Sequence, residues 1–383
     1  MTERATKRGA QRTDLSGSHD LLVCGASFAG LMVARQMAGS GADVMLLDRY
    51  EIGERQTSAC AVPTAWLEVL GLMESEKQRF DSVLIHTAHG STRLEIPWTF
   101  STFDYRTLCD LMWRECDATF ETAKVNGKHE SDNPDLIAIE TDRGIIQAPL
   151  VVDALGWKRV LANGASYQPP EAPLSRGLEV HPPPGGDEFE VWINRRYVPA
   201  GYGWAFPAGD EVRVGIGSFD PGFPVRGTTD LLAEDIGVEK DGYQGNWIPH
   251  RLRPATGDKV FFVGDSAGHC IPATAEGIRT ALYFGAALGT ELRAVHEGLQ
   301  TRDQALESYH RFNEGHRRQF NLMLKGQNVL PKLHPRLVKP VLALIGHGRI
   351  ARHVFNRYLG LCPPEFARIL TRTSKSVGDD SPV

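Results

Sequence analysis

Nothing in the 383 residues approaches the ~20 consecutive apolar positions that a bilayer span requires. No cysteine pair has CxxC spacing. Cys24, Cys60, Cys109, Cys116, Cys270 and Cys362 are scattered, which argues against both a zinc site and a disulfide scaffold, and no metal is expected. Positive charge is not in excess either: 42 Lys+Arg against 47 Asp+Glu leave a net charge of −5, so no nucleic-acid partner is expected. The opening residues lack the apolar stretch of a signal peptide, and positions 1–18 read as a disordered polar tail. A cytoplasmic protein is the expectation. What is present is an ordinary globular balance, 42% hydrophobic and 23% charged, at a length that suits two or three compact modules.

The first pattern with chemistry in it starts at Asp20. Leu21–Cys24 is a short apolar run with the look of a buried parallel strand. Gly25, Ala26, Ser27, Phe28, Ala29 and Gly30 form a glycine turn, and helical spacing of apolar residues follows. A second apolar strand, 44–47, ends at Asp48, with Arg49 beyond it. Strand, turn, helix, strand and acid together predict a dinucleotide site: backbone N–H groups approach a pyrophosphate and the helix start stabilises its charge. Asp48 is placed to accept from a ribose, which favours FAD or NAD. Ser27 stands where the pattern has its middle glycine, and its hydroxyl could itself donate to phosphate.

A second signature lies far downstream. The apolar strand 259–263 ends in Gly264-Asp265, then SAGHCIPATAEGI leads into a helix through Pro272, Gly277 and Ile278. An acid at a strand end can hold ribitol hydroxyls. A helix start facing a pyrimidine edge stabilises the negative charge of a reduced flavin.

The Gly25–Gly30 turn, the segment VVDALG at 151–156 and the run GDSAGHCIPATAEGI together resemble FAD-dependent oxidoreductases of the para-hydroxybenzoate hydroxylase fold. Within them the chain most resembles the geranylgeranyl reductase family. The most discriminating piece is Pro199 to Pro207, which fits that family's PxxYxWxFP pattern, with Val214-Gly215-Ile216-Gly217 after it. The resemblance covers Asp20 to about Glu297. It implies an α/β protein: a Rossmann-type FAD-binding domain (19–70, 101–165 and 252–300), an inserted antiparallel-sheet substrate domain (71–100 and 166–251) and a helical C-terminal region (301–375). It also implies hydride transfer from reduced flavin to a carbon–carbon double bond of an isoprenoid or other apolar substrate. NAD(P)H or another donor would act as reductant, although no second Rossmann unit is readable.

Site residues follow from the same likeness. Cys60 falls where the reductases often carry a cysteine beside the flavin, and a thiol there could protonate the second alkene carbon. The alternative is a small buried hydrophobe. Arg106 matches an arginine on the FAD phosphate side, the alternative being a solvated helix arginine. Asp153 lies in the second flavin-side motif, with its usual Asp-Gly pair split. Tyr202, Trp204 and Phe206 alternate along a strand, so they share one face and could floor an apolar cavity or simply fill a sheet core. His86, in a strand ending at His89, is expected on the substrate side; His250 and His269 flank the flavin segment.

Other classes of the fold are less well matched. A halogenase would carry WxWxIP and a lysine, whereas Tyr202 and Phe206 replace the first Trp and the Ile, and no lysine occurs from Gly9 to Glu76. A monooxygenase remains the main alternative, and a non-catalytic flavoprotein is the third. Finally, 315–364 contains no acidic residue but nine Lys and Arg, interleaved with apolar residues. Peripheral contact with an anionic membrane is one reading, a helical cap with a solvated basic face the other.

Overall fold

The computed structural model describes residues 13–56, 58–164, 174–240 and 242–367. Its organising element is a six-stranded sheet in the spatial order Thr256–Gly257, Val260–Phe262, Leu150–Asp153, Leu21–Cys24, Val44–Asp48, Thr119–Thr122. The last five run parallel. Leu21–Cys24 is fully buried, as a strand covered on both faces must be. Because the strands are parallel, Gly25, Asp48, Asp153 and Gly264-Asp265 all emerge at one carboxyl edge, where open α/β sheets bind ligands. Three strand spacings separate Asp48 from Asp265, roughly 14 Å along that edge.

The helices after the two signatures, Phe28–Met37 and Ile278–His296, pack on each other. Gly285 and Gly289 permit the close crossing: a Cβ there would lie 2.9 Å from the Met32 Cβ and 2.4 Å from the Gln36 Cβ. Two segments 250 residues apart are thereby held as one body.

The second sheet has eight strands, in the order Gln244–Pro249, Leu174–Val180, Glu211–Ser218, Gly201–Ala208, Glu190–Ile193, Glu76–Thr87, Gly90–Phe103, Ala61–Pro63. One junction, Glu190–Ile193 on Glu76–Thr87, is parallel; the others are antiparallel. One face packs on the helix Val225–Asp235 through Trp192, Val214, Ile216 and Leu232. The opposite face carries Phe80, Phe100, Phe189 and Phe206. It is covered by the C-terminal helices Pro335–Ile345 and Gly348–Leu359, through Val338, Leu342 and Phe355.

A small third sheet corrects the expected tail. Gly17–Ser18 pairs with Gly144–Ala148, Leu15 is buried, and the Arg143 guanidinium donates to Thr13. Residues 13–18 are therefore tied down; 1–12 lie outside the described residues, as do 368–375 of the expected helical region.

Candidate active site

The first turn is shaped by two glycines. Gly25 has φ +115° and a Cβ on it would lie 2.2 Å from the Ala154 oxygen; one on Gly30 would lie 1.8 Å from the Gly25 oxygen. No side chain with a Cβ fits either position. Ser27 is the N-cap of Phe28–Met37, yet its side chain makes no cap bond and the first turn holds no acid. Its hydroxyl accepts instead from the Tyr105 hydroxyl at 3.1 Å. Phe28 packs edge-on to Tyr105 and Phe103, and Ala29 lies against Gly264. The Asp48 carboxylate accepts from the Ala26 N–H at 2.9 Å and the Tyr50 N–H at 3.1 Å. Burial raises its pKa against those two bonds. Arg49 and Arg106 are exposed at the same end, Arg49 over the Tyr50 ring and Arg106 within 4.0 Å of Asp110.

At the downstream segment the Ile278–His296 helix starts at Gly277 with no side-chain cap and no acid in its first turn. Asp265 stands before it, and a Cβ on Gly277 would be 3.7 Å from the Asp265 carboxylate. No donor among the described residues reaches that carboxylate, and burial lifts its pKa to about 6 against the influence of Arg253. Two uncapped helix starts, a cradle closed to side chains and an open carboxylate thus share one edge. This fits a dinucleotide whose diphosphate meets the first turn and whose ring end meets Asp265 and Gly277.

A folded-state pKa raised above the unfolded value means that the protonated form is favoured by folding. The contribution is present at acid pH and is lost as pH rises from about 4 through about 6. Asp265→Asn is therefore expected to stabilise the flavin-free protein by about 1–3 kcal/mol near neutrality, with the gain vanishing at pH ~4. It should weaken flavin binding at the same time. Thermal melts at the two pH values and a flavin titration check both halves.

The stretch 271–277 between Asp265 and that helix is strained and heavily held. Ala273 and Ala275 have φ of 70° and 53°, and Pro272 is buried. The Gln327 side chain accepts from the Ala273 N–H at 2.9 Å. Tyr202 donates to the Thr274 carbonyl at 2.5 Å, and Tyr358 bonds the Thr274 hydroxyl and the Glu276 carboxylate. Glu276 is ion-paired to the fully buried Arg279 at 2.7 Å. Neither Gln327 nor Tyr358 was flagged by the sequence, because their contacts join segments more than 50 residues apart.

Tyr202, Trp204 and Phe206 do form one ladder, with ring centroids 6.0 and 6.3 Å apart. Gly215 faces Trp204 across the strands, and a Cβ there would enter the indole at 2.4 Å, so the glycine is what lets the ring lie flat on the sheet. The Trp204 N–H donates to the buried Glu179 carboxylate. Phe206 is stacked on Phe189 at 3.9 Å and Phe189 on Phe100, so the third rung belongs to a filled aromatic cluster rather than an open floor. On the same face, a small open groove lies between sheet and helical cap. Ile193, Val198, Gly201, Leu333 and Val338 line it, and Gly201 directly precedes Tyr202.

Cys60 is fully buried with φ 50°, and burial pushes its thiol pKa far up. Buried Arg213 donates to the Ala59 and Cys60 carbonyls, tying this segment to the strand opposite Phe206. The Asp153 carboxylate turns into the chain, accepting from the Leu155 and Leu161 N–H groups and the Ser266 hydroxyl. It holds two loops of the carboxyl edge together. His86 pairs with Trp192 on the face toward Val225–Asp235, bonded to Ser91 and Glu190 and away from the ladder. A register shift between Phe80 and Ser82 reverses which residues face the aromatic cluster. His269 is a core residue, bonded to the Gly264 N–H and to Asn313, with burial lowering its pKa to about 3. His250 bonds Ser175, and its pKa is lowered to about 4 by burial.

No protein-family model matches the chain. Among curated proteins it is 25% identical to digeranylgeranylglycerophospholipid reductase 3 of Methanosphaera stadtmanae, over 78% of this chain and 83% of the relative. It is 23% identical to digeranylgeranylglycerophospholipid reductase 2 of Methanopyrus kandleri, over 82% and 87%. Among solved structures, a geranylgeranyl bacteriochlorophyll reductase-like protein of Thermoplasma acidophilum superposes with a TM-score of 0.77 at 17% identity, covering 94% of this chain and all of that one. PqsL of Pseudomonas aeruginosa, a probable FAD-dependent monooxygenase, gives 0.62 at 16% identity, covering 82% and 96%. The structural likenesses speak to the fold, and the sequence likenesses extend over about four fifths of the chain. The chain is thus similar in sequence to digeranylgeranylglycerophospholipid reductases, and its fold is that of FAD-dependent oxidoreductases of the para-hydroxybenzoate hydroxylase type.

Proposed function

We propose that the protein reduces carbon–carbon double bonds of an isoprenoid or similarly apolar substrate. Bound FAD, once reduced, supplies a hydride to one alkene carbon. The chain's own part is to hold that ring end between Asp265 and the Gly277 helix start, and to lay the alkene along Tyr202 and Trp204. Cys60, whose thiol keeps its proton, is the proposed source of the proton for the second carbon, and Arg106 the proposed contact on the phosphate side. The observation that carries the reading is the Tyr202 to Thr274 bond, because it joins the aromatic ladder directly to the loop in front of the flavin end of the edge. The relatives' names point the same way. An external donor, NAD(P)H or a carrier protein, is proposed as reductant, and the basic C-terminal region as a peripheral membrane contact.

Hydroxylation is the second reading, since a monooxygenase shares the fold. The two part in one experiment. Under strict anaerobiosis, the reduced protein mixed with a polyprenyl alkene should regain its oxidised flavin spectrum. Reoxidation only on admission of oxygen, with an aromatic substrate, would reject the reductase reading.

A further inference from the structure

The helix Pro335–Ile345 is apolar on two sides. Val338, Leu342 and Ile345 face the aromatic cluster, as a packed helix requires. Leu337, Val341 and Leu344, at the same i, i+4, i+7 spacing, are exposed; Leu344 is 66% accessible. Ile350 and Val354 continue the exposure on the next helix. Of the nine large apolar side chains exposed among the described residues, seven lie between Leu322 and Val354. So dense an apolar surface is not the ordinary scatter of a monomer.

Charge separates the kinds of partner that could cover it. Lys332, Arg336, Lys339, Arg349 and Arg352 have no acidic group within 4 Å among the described residues, although Arg317 at the start of the region is paired with Glu314. Unpaired cations flanking an apolar ridge complement an anionic, apolar-cored surface. A second copy of this same face would set cation against cation.

We propose that the ridge Leu337, Val341 and Leu344, extended by Ile350 and Val354, docks the protein on an anionic lipid bilayer. The apolar side chains enter the acyl boundary while the cations meet lipid headgroups. Docking deepens the functional reading by giving the apolar substrate a route: Val338, which lines the groove, lies next to exposed Leu337 on the same helix, so the docked ridge brings the groove close to the lipid.

The test uses the full chain and vesicles of phosphatidylcholine, with and without phosphatidylglycerol at about 30 mol%. Co-sedimentation should require the anionic lipid and fall with salt. Val341→Glu/Leu344→Glu should lower partitioning by about tenfold or more, with an unchanged melting temperature and unchanged turnover of a short, water-soluble alkene. Equal sedimentation of the double variant, or binding indifferent to anionic lipid, overturns the proposal. So does a wild-type dimer in light scattering that the double variant converts to monomer, since the occupant is then a second copy. Wild-type protein that turns over the soluble alkene but does not bind the anionic vesicles tells against docking alone, whereas wild-type protein that binds them but turns over no alkene tells against the function alone.

Discussion

Asp153→Ala is expected to destabilise the protein by about 3–5 kcal/mol and to strip it of flavin, measured by urea unfolding and by flavin content of the purified protein. The carboxylate is wholly buried and accepts from three donors: the Leu155 N–H at 3.0 Å, the Leu161 N–H at 2.8 Å and the Ser266 hydroxyl at 2.6 Å. Removing it leaves those donors in a site water does not reach, at about 1–3 kcal/mol each, less the relief of no longer burying a charge. Flavin is lost for a geometric reason. The Ala154 oxygen stands against Gly25, and Ser266 follows Asp265, so one carboxylate pins both walls of the cofactor edge. Asp153→Asn should fall between, because its amide keeps an acceptor but presents donors to donors. A loss under about 1 kcal/mol with full flavin content would show that the two loops are held by something else.

The second large effect belongs to the pair behind the strained stretch. Glu276→Gln is expected to lower stability by about 3–5 kcal/mol, because Arg279 is fully buried and would keep its charge without a counter-ion. Arg279 retains the Leu359 and Tyr358 carbonyls, which limits the loss but does not neutralise it. Glu276→Gln combined with Arg279→Met should cost about 1–3 kcal/mol less than the sum of the single changes, since neither charge then remains buried alone. Flavin affinity should drop in every variant, as 271–277 loses its tie to Tyr358 and the left-handed alanines relax. Additive single effects of under about 1 kcal/mol would mean that the pair is solvated in solution.

Local chemistry was legible and long-range bookkeeping was not. The turn at Gly25, the acid at Asp48 and the Gly264-Asp265 strand end were readable because each is written in consecutive residues whose backbone demands are strict. The ladder of Tyr202, Trp204 and Phe206 was readable because strand parity is arithmetic. Parity also sets the face on which His86 lies: a register shift near Phe80 turns the later side chains over, and nothing in that stretch announces it. Thr13–Ser18 was missed because a two-residue strand borrows its order from Gly144–Ala148. Asp153 stood in a recognisable motif, yet its partners at Leu161 and Ser266 decide that it serves the loops. Glu179 beneath Trp204 and Arg213 behind Cys60 are buried and Tyr358 on Glu276 half-buried; their partners lie 25, 153 and 82 residues away, and no periodicity carries such pairings.

The Asp48–Asp265 edge would hold FAD, which would supply the hydride for an apolar alkene that we propose lies on Tyr202 and Trp204. Mass analysis of the product formed from a polyprenyl lipid in a single turnover, run with isotopically heavy dioxygen present, tests it most directly. The account predicts a product with two added hydrogens per reduced double bond and no heavy oxygen. A product carrying heavy oxygen with its double bonds intact would contradict it.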